Sequence, residues 1–287
     1  MQAVIDIGSN TIRLLIGRVE NGKIFDRQHF STMPRLVAGA AGGLLTLEAI
    51  DAALVALHKL AAHIEAAGLE KPSRVTATSA VREAANKDVF CRRVADELGW
   101  HVQVLTGEEE AAISFAAASA FWPDPLWVLD IGGGSTEMIW RAEGKVVARS
   151  VPVGAVRLFD APMDFFDLRA ALLPLFEDRP PLEALLVGVG GTVTKAAAIA
   201  AGCIEYDRDA VQGRILTKEW LYYWRKEIEN MSLEERLAKW PLLKKRVDII
   251  EFGLDILLAV LTILDRKEIM ASDAGLLDGL LLLSAKE

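Results

Sequence analysis

Two short stretches of this 287-residue chain each set an aspartate before a glycine-rich turn. Asp6-Ile7-Gly8-Ser9-Asn10-Thr11 aligns without a gap on Asp130-Ile131-Gly132-Gly133-Gly134-Ser135. Each is entered from an apolar run and left by another, residues 12–19 in the first copy and 138–140, after Thr136, in the second. Glycine lets backbone N–H groups approach an anion without side-chain obstruction, and Ser or Thr adds a donor. A hairpin also needs glycine, for positive φ, so one such loop alone says little. A turn does not need a carboxylate at the strand end, whereas a magnesium ion bridging phosphate oxygens does. Gly190-Gly191-Thr192, between a predicted strand and a predicted helix, is a third candidate, since helix N-termini favour anions. A tight strand–helix connection explains it equally well.

Two further carboxylates and one arginine belong with these loops. Alternation puts Glu137 on the opposite face of its strand from Thr136. Glu108 opens the run Glu108-Glu109-Glu110 at a helix start after Thr106-Gly107. Acids there complement the helix dipole, and Thr106 with Glu109 reads as a capping box, so position alone does not make Glu108 a catalyst. Arg82, just after Thr78-Ser79-Ala80-Val81, stands where a strand hands over to a helix. An arginine there usually joins a surface ion pair, but beside glycine loops it can grip phosphate bidentately.

The elements that must hold these residues follow the repeat. Both halves read strand, glycine loop, strand, tight turn (Asn21-Gly22-Lys23 and Glu143-Gly144-Lys145), strand. Helical spacing then predicts a helix over 47–67 ending at Gly68, a strand over 74–78, a helix over 82–98, a strand over 101–105 and a helix over 108–121. In the second half a strand over 185–189 runs into an Ala-rich helix to 201. Residues 203–230 have no counterpart and read as an insertion with an amphipathic helix, where Trp220, Tyr222, Tyr223 and Trp224 suit buried packing better than a partner surface. A helix over 246–264, a strand over 268–271 and a last helix from Asp273 complete the chain. Trp122-Pro123-Asp124-Pro125 marks a boundary. The expectation is two α/β domains, 1–123 and 124–272, with 273–287 packing back on the first and the glycine loops lining a cleft.

Composition narrows the ligand. With 52% hydrophobic and 25% charged residues the chain can build packed cores, which excludes wholesale disorder. Forty acids against 32 bases give a net charge of −8, arguing against nucleic acid as a partner, so a polyanion must be held locally. Cys91 and Cys203 form no Cys-x-x-Cys pair, and His29, His58, His63 and His101 show no metal-ligand spacing. The start, Met1-Gln2-Ala3-Val4-Ile5-Asp6, lacks a basic leader, and the apolar stretches near 111–122 and 254–264 are too short for a membrane span. A reduced, cytoplasmic protein with no membrane partner is expected.

Four motifs together resemble the exopolyphosphatase/guanosine pentaphosphate phosphohydrolase family. They are residues 6–14, Ala77-Thr78-Ser79-Ala80-Val81-Arg82-Glu83-Ala84, Thr106-Gly107-Glu108-Glu109-Glu110-Ala111, and residues 130–137. Val153-Gly154-Ala155-Val156-Arg157-Leu158, residues 190–192, Arg246-Val247-Asp248-Ile249-Ile250 and Ser272-Asp273-Ala274-Gly275-Leu276 look like its later motifs. The resemblance implies a duplicated actin/Hsp70/sugar-kinase-like (ribonuclease H-like) fold. It implies an exo-acting, magnesium-dependent hydrolase releasing orthophosphate from polyphosphate or from the 5′ end of pppGpp, and it leaves a homodimer open. By the same resemblance Glu108 matches the base for the attacking water, and Glu137 lies near that water or the metal. The Asp130 position goes to the metal and the Arg82 position to the phosphate chain; the repeat itself adds Asp6 as the expected second metal aspartate. Gly8, Ser9, Asn10, Thr11, Gly132, Gly133, Gly134, Ser135, Thr136, Gly190, Gly191 and Thr192 form the expected phosphate cradle.

Three departures stand out. Many relatives carry further C-terminal domains, so an extended grip on long polyphosphate is not implied here. Arg35-Leu36-Val37-Ala38-Gly39 lacks an acid usual in relatives, and Lys195 has no clear counterpart. Two other readings suit the same loops: an ATPase or kinase of this fold, and a module that binds polyphosphate or nucleotide without turnover.

Overall fold

The computed structural model describes residues 1–36, 43–177, 183–244 and 246–285. The chain divides into two compact units, Met1–Ala120 with Leu276–Glu287, and Phe121–Gly275.

In the first unit, β1 (Gln2–Ile7), β2 (Ile12–Glu20), β3 (Lys23–Thr32), β4 (Arg74–Ala77) and β5 (Val102–Val104) form one sheet in the order β3-β2-β1-β4-β5. The first three strands are antiparallel, while β4 and β5 run parallel to β1. Asn21 and Gly22 both adopt positive φ, 50° and 73°, as a two-residue hairpin turn requires. Residues 3–7 of β1 are buried on both faces, because both faces of the sheet are covered. Ala3, Ile5 and Ile7 pack with the helices Leu47–Ala66 and Lys87–Leu98. Val4 points the other way, against the helix Leu276–Ser284. That helix presses on Gly107–Ser119 at Gly279, where a Cβ would lie 2.3 Å from the Ile113 carbonyl oxygen.

The expected helix over 82–98 is two helices, Ser79–Glu83 and Lys87–Leu98. Ala84 is extended, and the Asn86 amide bonds both backbone groups of Leu45, at 2.9 and 2.8 Å. Asn86 is thus held in a tertiary contact that a continuous helix would forfeit. Arg35 donates its N–H to the Asn10 carbonyl and Leu36 is fully buried, whereas residues 37–39 lie outside the described residues.

The second unit contains β6 (Leu126–Ile131), β7 (Thr136–Ala142), β8 (Lys145–Val151), β9 (Leu185–Val189), β10 (Ile215–Thr217) and β11 (Glu268–Ala271), in the order β10-β11-β9-β6-β7-β8. Read from its far edge, β8-β7-β6-β9-β11 repeats the first sheet, with three antiparallel strands followed by two parallel ones. Glu143 and Gly144 repeat the positive-φ turn, at 50° and 77°. The sequence repeat is therefore a repeat of topology, and the ribonuclease H-like expectation holds in both copies. β10, from the unmatched segment, adds antiparallel to the β11 edge. The helices Gly190–Ala200, Lys218–Glu229 and Ile250–Ile263 supply much of the core.

The long helix begins at Ile250 rather than at 246, residues 246–249 forming turns instead. The last helix begins at Leu276 rather than at 273. The N–H groups of Ser272, Asp273 and Ala274 are already committed to the Gly188 carbonyl, the Gln212 side chain and the Ser272 hydroxyl. Among the described residues no helix is long and apolar enough to cross a membrane.

Candidate active site

In the first unit the Gly8 N–H donates to the Thr11 carbonyl at 3.0 Å, closing the loop between β1 and β2 on itself. A Cβ on Gly8 would sit 3.1 Å from that oxygen, so glycine permits the tight closure. Among the described residues nothing accepts from the N–H groups of Ser9 or Asn10. The Ser9 hydroxyl lies 3.1 Å from that of Ser79, tying the loop to the start of Ser79–Glu83. From that short helix Arg82 donates Nη1 to the Leu105 carbonyl at 2.9 Å and to Glu110 Oε2 at 3.2 Å.

The acidic run at the start of Gly107–Ser119 divides three ways. Thr106 and Glu109 form the reciprocal capping box that the sequence predicts. Glu110 holds Arg82. Glu108 is exposed, with no hydrogen bond or ion pair to any described residue.

Asp6, at the end of β1, is 1% exposed. Its Oδ2 accepts from both Nε and Nη2 of Arg13, directly across the β1–β2 register. Its Oδ1 is buried and has no hydrogen-bond partner.

The second unit repeats the design with different chemistry. Gly132 N–H donates to the Ser135 carbonyl at 2.9 Å, as Gly8 does to Thr11. Among the described residues nothing accepts from the N–H groups of Gly133 or Gly134. The loop rests on Gly154: a Cβ there would lie 2.5 Å from the Gly133 carbonyl carbon, and the N–H groups of Ala155 and Val156 bond the Gly132 and Gly133 carbonyls. Both carbonyls are thus turned to the rear. Thr136 is fully buried and donates to the Val153 carbonyl at 2.6 Å, so its hydroxyl faces away from Glu137. Asp130 pairs with Glu137 in the β6–β7 register, and Glu137 accepts from Ser150 Oγ at 2.9 Å.

Gly190 has φ +81° and lies against Asp130, where a Cβ would be 2.5 Å from Oδ1. Val189 provides no side-chain cap to the helix Gly190–Ala200, leaving first-turn N–H groups available to an anion. A Cβ on Gly191 would meet the Arg246 guanidinium at 2.2 Å. Thr192 is buried, its side chain packed against Gly253. The structure thus gathers Asp6, the first loop, Arg82 and Glu108 in one unit, and Asp130, Glu137, the second loop and residues 190–192 in the other. The pairing of Arg13 with Asp6 and the seat of Arg246 on Gly191 were not anticipated; strand register could have shown the first.

Among the described residues no three His, Cys, Asp or Glu side chains are grouped to hold a metal by themselves. A divalent ion arriving on phosphate oxygens needs only one or two carboxylates and keeps waters. The buried, partnerless Oδ1 of Asp6 and the like-charged pair Asp130–Glu137 fit that requirement.

These features define a duplicated ribonuclease H-like α/β protein with one self-closed glycine loop and one strand-end aspartate in each copy. The sequence model of the Ppx/GppA phosphatase family matches residues 34–287. Exopolyphosphatase 2 of Mycobacterium tuberculosis is 32% identical over 278 residues, covering 88% of this chain and 86% of that protein. A crystal structure of the Aquifex aeolicus Ppx/GppA family member superposes with a TM-score of 0.85 at 29% identity, over 99% of this chain and 97% of that one. An exopolyphosphatase structure from Cytophaga hutchinsonii gives 0.83 at 27%, over 99% and 97%. The chain belongs to the Ppx/GppA phosphatase family.

Proposed function

We propose that this member of a family of phosphoanhydride hydrolases releases orthophosphate from the end of inorganic polyphosphate, one unit at a time, by attack of water on the terminal phosphorus. The carrying observation is the pair of self-closed glycine loops with unspent N–H groups at Ser9, Asn10, Gly133 and Gly134. Preorganised donors of this kind stabilise phosphate charge without reorganisation during reaction. The likeness to an exopolyphosphatase favours polyphosphate over pppGpp, the other terminal phosphoanhydride that the sequence resemblance implies.

In this reading residues 8–11, 132–136 and 190–192 hold phosphate oxygens largely through the backbone. The buried hydroxyls of Thr136 and Thr192 shape the loops rather than touch substrate. Arg82, kept in place by Glu110 and the Leu105 carbonyl, meets charge on the terminal phosphoryl group. Glu108 orients the attacking water and takes its proton as the bridging P–O bond breaks. The shortened chain leaves with the bridging oxygen. A divalent ion, which we propose to be magnesium, would be held by Asp130 and Glu137 with Asp6 and would supply neutralisation of the phosphate oxygens.

The test measures phosphate release with magnesium on polyphosphates of graded length, pppGpp and ATP side by side. Stepwise release from polyphosphate is expected, with little from ATP. Turnover of ATP alone would establish an ATPase, and binding of polyphosphate without turnover would establish a non-catalytic module.

A further inference from the structure

Gly133 and Gly134 each leave open the space of a side chain, and the short helix Ala155–Asp160 fills it. A Cβ on Gly133 would stand 3.2 Å from Val156 Cγ2, and one on Gly134 would stand 3.7 Å from Arg157 Nε. Val156 thus backs the second loop with an apolar wall, while the next residue brings a guanidinium alongside it. The N–H groups of Ala155, Val156 and Arg157 bond the Gly132 and Gly133 carbonyls at 3.0, 2.9 and 3.2 Å, so the backbone carrying that guanidinium is fixed to the loop.

Arg157 is exposed, and its side chain makes no hydrogen bond or ion pair with any described residue. Two other arginines of the proposed site are engaged: Arg13 pairs with Asp6, and Arg82 with Glu110 and the Leu105 carbonyl. The strand position that holds Arg13 in the first copy holds Glu137 in the second, so there the cation comes from the helix instead. A guanidinium presents a planar fork of N–H donors suited to two phosphate oxygens, and the unspent N–H of Gly134 lies beside it. Bracing decides what such a residue does. Arg82, held by two acceptors, is preorganised, and a preorganised charge acts on the transition state. Arg157 has no brace and is ordered only by the anion it meets, so it holds the chain rather than helping to break it. We propose, resting on the phosphohydrolase reading above, that Arg157 binds an inner phosphate of the polyphosphate chain and sets affinity for the chain rather than the rate of release.

Steady-state phosphate release from polyphosphate of defined length, beside binding of labelled polyphosphate by fluorescence anisotropy, tests this. Arg157→Gln should raise both KM and the dissociation constant at least about tenfold, the scale of one charge-assisted contact, with kcat within about threefold of wild type. Arg157→Lys keeps the charge without the fork and should recover part of the affinity. Arg169→Gln removes another exposed cation, on the helix Phe165–Leu172, and should leave both constants near wild type. Circular dichroism melting of Arg157→Gln should match wild type, and Arg157→Lys carries the comparison if it does not. A fall in kcat at unchanged KM, an unchanged dissociation constant, or an equal loss in Arg169→Gln would each overturn the proposal. A chain that binds polyphosphate without turnover overturns the hydrolase reading alone, and an affinity loss in Arg157→Gln then still supports this one. Absence of binding overturns both.

Discussion

Asp130 and Glu137 stand opposite each other across β6 and β7, at the register position that Asp6 and Arg13 hold across β1 and β2. The duplicated framework thus carries one aspartate twice, with its cross-strand neighbour reversed in charge. Cross-strand neighbours share a face, so in the first unit a guanidinium stands beside the carboxylate, and in the second another carboxylate does. Two carboxylates on one face suit a divalent cation. In the proposed reading the two carboxylates of the second unit would hold the metal, while Asp6 has an unbonded Oδ1 in the first.

Magnesium dependence should therefore respond most to Glu137. Glu137→Gln keeps an acceptor for Ser150 Oγ but removes one of the paired charges. The magnesium concentration for half-maximal phosphate release should rise by roughly tenfold, one charge contact being worth on the order of 1–3 kcal/mol. Asp6→Asn, whose neighbour already supplies positive charge, should shift it less. Equal shifts in the two variants would refute the unequal assignment.

The division of the acidic trio gives a second expectation. Glu108→Gln should lower phosphate release by roughly 10²–10⁴-fold, the range for a general base, with an unchanged thermal transition. Glu109→Ala removes half of the capping box and should lower stability slightly while leaving turnover near wild type. Full activity in Glu108→Gln would remove it from the reaction.

A stability prediction concerns Arg236, 6% exposed, which donates to the Met231 and Val247 carbonyls at 3.1 and 3.2 Å and to Glu251 at 2.9 Å. Arg236→Met leaves all three acceptors short of a donor and should destabilise by up to about 3–5 kcal/mol in urea titrations. Arg236→Lys should recover little, since one ammonium does not reproduce a fork reaching three directions. Recovery by lysine would mean that charge alone matters there.

What the sequence disclosed follows the range of the forces involved. The strand–loop–strand repeat and its turns are local, written in alternating apolar residues and in Asn21-Gly22 and Glu143-Gly144, and they came through. The break between the helices Ser79–Glu83 and Lys87–Leu98 did not, because it depends on Asn86 bonding Leu45, 41 positions away. The capping box was legible from Thr106 and Glu109, but the hold of Glu110 on Arg82 required two segments to meet. The reversed charge beside Asp6 and Asp130 was within reach, since extending the ungapped repeat two residues sets Arg13 against Glu137. Helical periodicity likewise separates buried Trp224 from exposed Tyr222 and Tyr223, a distinction lost when the four aromatics are read as one block.

Gly190 offers a comparison in which backbone strain and site geometry come apart. Gly190 and Gly202 both have positive φ, 81° and 73°, so alanine at either incurs the left-handed penalty of roughly 1–2 kcal/mol. They differ in surroundings. Nothing lies within 4 Å of a Cβ on Gly202, whereas one on Gly190 would sit 2.5 Å from Asp130 Oδ1 and 3.3 Å from the Ile131 carbonyl oxygen. Gly190→Ala must move either the aspartate or the first turn of Gly190–Ala200, and both belong to the proposed phosphate and metal machinery. Urea titrations should therefore show both variants destabilised, while phosphate release falls at least tenfold only in Gly190→Ala and its magnesium requirement rises. If Gly202→Ala lost activity to the same extent, the close approach of Gly190 to Asp130 would have no part in the reaction.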